Sequence, residues 1–315
     1  MDSRNRGRSG QPGGRGRGFG TQGQRPPREG GGQRGDRAPN DGPRRHYPLP
    51  LDTQGLLGDS PAIALEHPGL AFQRFIWYDR PWQLDQKHQQ RVLREIAAQT
   101  QALSRETSPF SKALKALHDR AEAAQHILAS AGWQARSITG TVDWRLVTGL
   151  GAAGVLEGSG MVLHRLYGFP YLPASGLKGL IKHFLRIEEQ RHDTDPLIVQ
   201  IFGDQKQRGA VIFWDALPTT WPTLDVDIIN VHLQEYYAQH SEDGQLVPPA
   251  DYLSPNPVYF LTVAAGTRFC FRLLSRDVSL LEQTVDYARK ALELLGFGAK
   301  TRAGYGGLSV TESAK

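Results

Sequence analysis

The sequence predicts an α+β fold: a ferredoxin-like domain, two helices on one face of an antiparallel sheet. Three observations point to it. From residue 137 onward the apolar pattern runs strand, helix, strands, hairpin, helix, glycine-rich loop, strand. Both helical stretches, 175–186 and 279–295, carry a single apolar face. The strand stretches alternate or form compact apolar runs. Segregating the helices to one face of such a sheet is how an α+β domain buries one stripe per helix.

Each element is justified in chain order. Residues 1–45 hold thirteen glycines, eleven Arg, no Lys and four acids, a net +7, with almost no large apolar side chain. A segment of that composition cannot bury enough surface to offset its chain entropy, so an Arg/Gly-rich disordered tail is expected. Its Arg-Gly steps, at Arg6-Gly7, Arg15-Gly16, Arg17-Gly18 and Arg34-Gly35, suit loose pairing with phosphates and stacking of guanidinium on bases. Since the whole chain is +5, residues 46–315 sum to −2, and any basic surface on the folded part is a local patch.

Residues 46–83 are rich in proline and aromatics and show no period, which reads as an irregular arm. Residues 84–131 read as a helical hairpin, with Val92, Leu93, Ile96 and Ala97 on one stripe and Leu114, Leu117, Ala121, Ala124 and Leu128 on the next. Ser108-Pro109 is an N-cap and first-turn pair, and Gly132 a stop. The division is thus a tail at 1–45, an arm and helical hairpin packed on the core at 46–136, and the ferredoxin-like domain at 137–315.

Within that domain Ile138, Gly140, Val142, Trp144 and Leu146 alternate with polar residues as a half-buried strand. Pro173 ends an extended segment and Ser175 is placed to cap a helix whose apolar face is Leu177, Leu180, Ile181, Phe184 and Leu185. Lys178, Lys182 and Arg186 fall on another face at four-residue spacing. Residues 210–217 read as a buried strand, and 258–263 and 267–274 as a hairpin turning at Ala264-Ala265-Gly266. On its second strand Phe269, Phe271 and Leu273 face one way, Arg268 and Arg272 the other. Ser279 and Glu282 suit a capping box for the last helix, which buries Leu281, Val285, Ala288, Leu292 and Leu295.

That helix stops at Gly296, and the twelve residues from there hold five glycines with Phe297, Lys300, Arg302 and Tyr305. Glycine admits close backbone approach and positive φ, the cations suit phosphates, and the rings offer stacking faces. The loop points to a nucleic-acid backbone. A Walker loop is excluded, because Leu294 and Ala299 stand where glycines are required and the helix precedes the loop. The dinucleotide fingerprint fails at Thr301.

Other chemistry is sparse. Cys270 is the only cysteine, which excludes an intramolecular disulfide or a thiolate zinc site within one chain and fits a reducing cytoplasm. No signal peptide and no eighteen-residue apolar run is present, so a cytoplasmic protein without membrane contact is expected. His164 is the best-placed general base among His164, His183, His192 and His232, and an isolated histidine in a strand is read as structural. Asp225, Asp227 and His232 suggest a metal cluster only weakly, since an Asp-x-Asp amid apolar residues reads as a strand end facing solvent. No catalytic residue, metal or cofactor is expected.

Several segments together resemble a known family. The GFGAKTRAGYGGL stretch looks like the glycine-rich loop of the RAMP superfamily, the repeat-associated proteins of CRISPR effector complexes. The segment FPYLPASGLKGLIKHFLR resembles that superfamily's proline followed by a Ser-x-x-Lys-Gly helix start. Residues 162–170, 226–237 and 248–269 sharpen the likeness to the sixth-subunit family of the Cmr complex, the type III-B effector. The likeness covers roughly 140–310 and does not extend to the tail.

The resemblance implies a non-catalytic RNA-binding subunit in antiviral defence, partnered by crRNA, target RNA and other Cmr subunits. The guide-contacting elements it implies are the start of the 175–186 helix, with Ser175, Lys178 and Lys182, and the loop residues Gly296, Gly298, Lys300, Arg302, Gly304, Tyr305 and Gly306. Two other readings stand beside it. One is a RAMP-type endoribonuclease using His164; the other is a free-standing RNA chaperone, against which the 258–274 stretch lacks the RNA-recognition-motif spacing.

Overall fold

The computed structural model describes residues 45–47, 49–50, 52–53, 67–78, 85–151, 156, 159–231 and 256–312. Apart from Arg45, the Arg/Gly-rich tail lies outside them. The described elements begin with helices α1 (Pro68–Gln73), α2 (Gln86–Ala102) and α3 (Pro109–Ser130). Strands β1 (Gln134–Val142) and β2 (Arg145–Leu146) precede α4 (Ala174–Ile187) and α5 (Pro196–Phe202). Then come β3 (Val211–Phe213), β4 (Leu217–Pro218), β5 (Leu224–Val231), β6 (Asn256–Ala264) and β7 (Arg268–Ser275). The chain ends with α6 (Val278–Leu295), a 3-10 turn (Thr301–Ala303) and β8 (Leu308–Glu312).

The fold is mixed α and β with two antiparallel sheets. The first has the order β3-β7-β1-β8, with β4 also paired to β7; the second has the order β2-β6-β5. Helices α4 and α6 pack on each other and on the first sheet. Leu177, Ile181, Phe184 and Leu185 of α4 and Leu281, Val285, Ala288 and Leu292 of α6 meet Ile138, Phe269, Phe271 and Leu273 there. The predicted apolar faces of both helices are therefore the buried ones, and each large side chain so buried contributes about 1.5–3 kcal/mol.

The expected hairpin is not one. Strands β6 and β7 lie in different sheets, and both pair with the β1–β2 strand. Thr141 stands opposite Arg268 and Arg145 opposite Ala264, so one register carries through both sheets. The Ala264-Ala265-Gly266 segment is a bend in a continuing strand, not a reversal. Gly266 has φ 78° and donates its N–H to Val142 O at 2.8 Å. An irregular residue of this kind bends a strand and re-aims the residues beyond it. The partner of β6 is β5, with Asp227 opposite Phe260.

The same bend breaks the predicted alternation on the other strand. Ile138, Val142 and Leu146 are buried as expected, but Trp144 is 49% exposed. Helix α3 opens as read, with Ser108 accepting from Phe110 N at 3.2 Å and Pro109 in the first turn. The two helices of 84–131 part: α2 packs on β5 and β6 of the second sheet, α3 on β1 of the first. Helix α6 is capped by Asp277, which accepts from Leu280 N at 3.0 Å, not by Ser279. Aspartate caps as well as serine and stands two residues earlier, so the helix starts sooner. Glu282, freed from the expected box, pairs with Arg136 at 2.6 Å.

Helix α3 lies across the face of the first sheet opposite α4 and α6. Leu114 clusters there with Phe169 and Trp221. Arg272 does project away from Phe271, as the alternation predicts, yet it is buried beneath this helix, 2.9 Å from His118 Nδ1. Among the described residues no helix is long and apolar enough to cross a membrane.

Candidate nucleic-acid interface

The glycine-rich loop is built onto the bend between β1 and β2. Phe297 N donates to Gly306 O at 2.8 Å, closing the loop on itself. Gly306 N donates to Arg145 O at 2.7 Å, Ala299 N to Val147 O at 2.8 Å, and Asp143 N to Gly307 O at 3.0 Å. The 143–147 segment therefore grips the loop along its length.

Two glycines show what the close approach is for. A Cβ on Gly306 would stand 2.0 Å from Phe297 O, and one on Gly298 would stand 2.3 Å from Val147 O; both residues have positive φ. The backbone approach that the sequence suggested is made to the protein's own chain. Gly296 serves the end of α6, with φ 68° and its N–H on Leu292 O. Gly304 has φ 89° and open space around it.

The two loop rings are structural, which corrects the expected stacking faces. Phe297 is 6% exposed and its ring lies 6.2 Å from that of Phe271. It also abuts the start of α4, where a Cβ on Gly176 would meet its ring tip at 2.7 Å. Tyr305 is 7% exposed; its hydroxyl donates to Asp227 Oδ2 at 2.7 Å, and Arg145 pairs with the same oxygen at 2.6 Å. Burial, then the Asp227 hydrogen bond, pushes the Tyr305 hydroxyl up to about 12. Burial pushes Asp227 upward, but the Tyr305 hydroxyl, Ile228 N–H and Arg145 together hold it below the usual carboxylate range. Asp227 therefore does not face solvent as its Asp-x-Asp setting suggested; it anchors the loop to the second sheet.

The cations sort into two groups. Lys300 and Arg302 are exposed, and among the described residues neither has an ion pair or side-chain hydrogen bond. Lys300 has φ 59° and ψ 32°, a left-handed conformation that costs a non-glycine residue about 1–3 kcal/mol. On α4, by contrast, Lys178 donates to Phe202 O at 3.4 Å, while Lys182 and Arg186 lie 3.5 Å and 3.7 Å from Asp193.

Ser175 is exposed in the first turn of α4 and makes no cap; Pro173 is the capping position. The first free N–H, that of Ala174, donates to Asp215 Oδ1 at 2.7 Å. A carboxylate thus already occupies the helix end at which a phosphate was expected, and it complements the helix dipole there. The start of α4 and the loop nonetheless meet. Gly176 and His183 of α4, Leu294 and Leu295 at the end of α6, and Thr301 and Arg302 of the loop line one groove of about 570 Å³.

His164 sits in a tight turn, its Nδ1 accepting from Leu166 N at 3.3 Å. Tyr167 and Phe169 crowd it at 4.9 and 5.0 Å, and burial lowers its pKa against the opposing pull of Asp215. Asp225 is a β5 strand residue opposite Thr262, and His232 lies outside the described residues. Among the described residues no three His, Cys, Asp or Glu side chains come together as a metal site.

Sequence reasoning missed Asp143, Trp144, Arg145 and Asp227 as parts of this site. Their signal is tertiary: only the bend at Gly266 turns Trp144 outward, and only the β5–β6 pairing brings Asp227 to Tyr305.

Residues 155–309 match the RAMP superfamily. A CRISPR system Cmr6 subunit of Pyrococcus furiosus is 32% identical over 222 residues, covering 52% of this chain and 64% of that one. A Cmr6 subunit of Saccharolobus solfataricus is 27% identical over 147 residues, 47% of each. The chain thus spans between 47% and 64% of the length of these curated relatives. Among solved structures, a chain of the type III-B Cmr-β complex bound to cognate target RNA superposes with a TM-score of 0.49 at 21% identity, over 73% of this chain and 80% of that one. The crystal structure of Cmr6 from Pyrococcus furiosus does so with a TM-score of 0.38 at 29% identity, over 58% and 99%.

Proposed function

We propose that the chain, whose residues 155–309 match the RAMP superfamily, is a non-catalytic structural subunit of a type III-B CRISPR effector, holding crRNA or its duplex with target RNA and contacting neighbouring subunits. One observation carries the reading: among the described residues Lys300 and Arg302 have no ion pair or side-chain hydrogen bond, on a loop otherwise bonded in place. Such cations are spare charge for phosphates, fixed in position before any ligand arrives.

The contact set is Lys300 and Arg302 with the exposed Gly298 and Gly304 beside them. Lys178 and Lys182 serve α4 and its flanking loop, and Ser175 lies beside the Asp215 carboxylate, so these three stand outside that set. The order β3-β7-β1-β8, with α4 between β1 and β3 and α6 between β7 and β8, supports the ferredoxin-like assignment. The division into an N-terminal segment at 46–136 and this domain at 137–315 belongs to the same reading, and the opening of β1 at Gln134 supports it to within a few residues. A cytoplasmic location and RNA-binding help from the tail belong to the same reading.

Changing Lys300 and Arg302 together to Glu tests it. The expected result is weaker guide retention in the assembled complex and a flatter dependence of affinity on salt, since each lost phosphate contact removes about 0.7–0.9 from the slope. Unchanged binding across salt concentrations rejects it. A purified chain that cuts RNA, and ceases to when His164 becomes Ala, rejects the non-catalytic part.

A further inference from the structure

We propose that Trp144 is a stacking platform for one unpaired nucleobase of the bound RNA, an inference that rests on the RNA-binding role proposed for the loop. Stacking requires an exposed ring held near phosphate-binding charge. Neither ring of the loop qualifies, since Phe297 and Tyr305 are buried. Trp144, 49% exposed, lies against the loop from outside.

Its position is fixed from three sides. The indole rests on Tyr305, ring centroids 5.1 Å apart and planes inclined by 38°. Tyr305 is in turn tied through its hydroxyl to Asp227. The preceding residue, Asp143, donates its N–H to Gly307 O and accepts from Ser309 N at 3.1 Å and Ser309 Oγ at 2.6 Å. The next residue, Arg145, lies with its guanidinium 5.3 Å from the indole centroid and its charge on Asp227. A ring so held loses little freedom when a base settles on it.

The surroundings favour RNA over a protein partner. Tyr305 N bonds back to Lys300 O at 3.4 Å, so the ring beneath Trp144 and the Lys300 cation belong to one short turn. The nearby carboxylates are already engaged, Asp143 by Ser309 and Asp227 by Tyr305 and Arg145. An exposed indole flanked by polar residues, packed on the ring of a turn that also carries Lys300 and Arg302, matches the pairing of stacking face and backbone charge that single strands use.

The test measures binding of the full chain to a fluorescent oligouridine and to an RNA duplex over a range of salt. W144A should weaken oligouridine binding about tenfold, the effect of losing one stacked base, with the salt slope unchanged because no phosphate contact is lost. Duplex binding, which offers no free base face, should not change. W144F should retain most of the affinity and lose the quenching of indole emission that oligouridine causes in the native chain. That quenching comparison decides the matter if W144A does not fold.

If W144A binds like the native chain while K300E/R302E does not, the stacking role is wrong and the RNA reading stands. If both bind like the native chain, the RNA reading falls and takes the stacking role with it. A W144A chain that keeps its RNA affinity but no longer joins its neighbouring subunits makes Trp144 a protein contact and overturns the proposal.

Discussion

The hydroxyl of Tyr305 donates to Asp227 Oδ2 across 2.7 Å, joining the glycine-rich loop to a strand 78 residues earlier. Arg145 completes the triad on the same carboxylate oxygen. The bond links the glycine-rich loop to the second sheet, and so couples the 300–305 turn to the rigidity of β5 and β6. A hydrogen bond to a charged acceptor in such a site is worth about 1.5–3 kcal/mol, so Tyr305→Phe should lower stability by that amount near neutral pH.

Its pH signature is specific. The Tyr305 pKa is raised from 10.0 to about 12 by folding. A raised folded-state pKa means stability that is fully present below pH 10.0 and is lost as pH rises through about 12. Thermal unfolding of the native chain between those pH values should show that loss, and Tyr305→Phe should show less of it, the remainder coming from groups such as Tyr47 and Tyr78 whose pKa burial also raises. Parallel pH profiles for the two proteins would show that the bond does not hold the loop.

The loop glycines should differ sharply from one another. Gly304→Ala meets open space and carries only the strain of its positive φ, about 1 kcal/mol. Gly306→Ala adds a methyl 2.0 Å from the Phe297 carbonyl oxygen, in a residue pair already joined by the Phe297 N–H to Gly306 O bond, so the backbone must move. Chemical denaturation should rank Gly306→Ala well below Gly304→Ala. Equal stabilities would mean that the close approach is not what selects glycine there.

Lys300 separates stability from binding. Its left-handed backbone costs about 1 kcal/mol or more that glycine would not incur, although glycine loosens the unfolded chain by a similar amount. Lys300→Gly should therefore leave the melting temperature unchanged or slightly higher while weakening RNA binding. A drop of several degrees would show that the lysine side chain is structural.

Much of this was legible in the sequence, and the failures share one cause. The apolar faces of α4 and α6, the Ser108-Pro109 start and the glycine loop come from local period and local caps. The roles of Phe297 and Tyr305 do not. Composition shows that a loop holds rings and cations, but burial of a ring depends on which segments meet it. Phe297 is claimed by the space above Gly176, Tyr305 by Asp227 from a distant strand. The 258–274 stretch likewise looks like a hairpin because a glycine between two apolar runs signals a turn. Pairing of both runs with the one bent β1–β2 strand makes it a bend instead.

Arg272 projects from the face of the first sheet that α3 covers, and its burial there keeps it out of the proposed RNA contact set. It donates to His118 Nδ1 at 2.9 Å, while His118 Nε2 donates to Pro218 O at 2.8 Å. Among the described residues Arg272 forms no ion pair, so a neutral imidazole is its acceptor. His118→Phe should leave a buried guanidinium without that acceptor and cost about 2–3 kcal/mol. Arg272→Met added to His118→Phe should recover part of the loss, because an apolar pair leaves no buried charge unsatisfied. A double variant as unstable as the sum of the singles would show that the two side chains act independently. If the pair is what seats α3, RNA affinity in His118→Phe should hold steady while the helix loosens, because the cations proposed to bind RNA lie on the loop after α6 and not on that face.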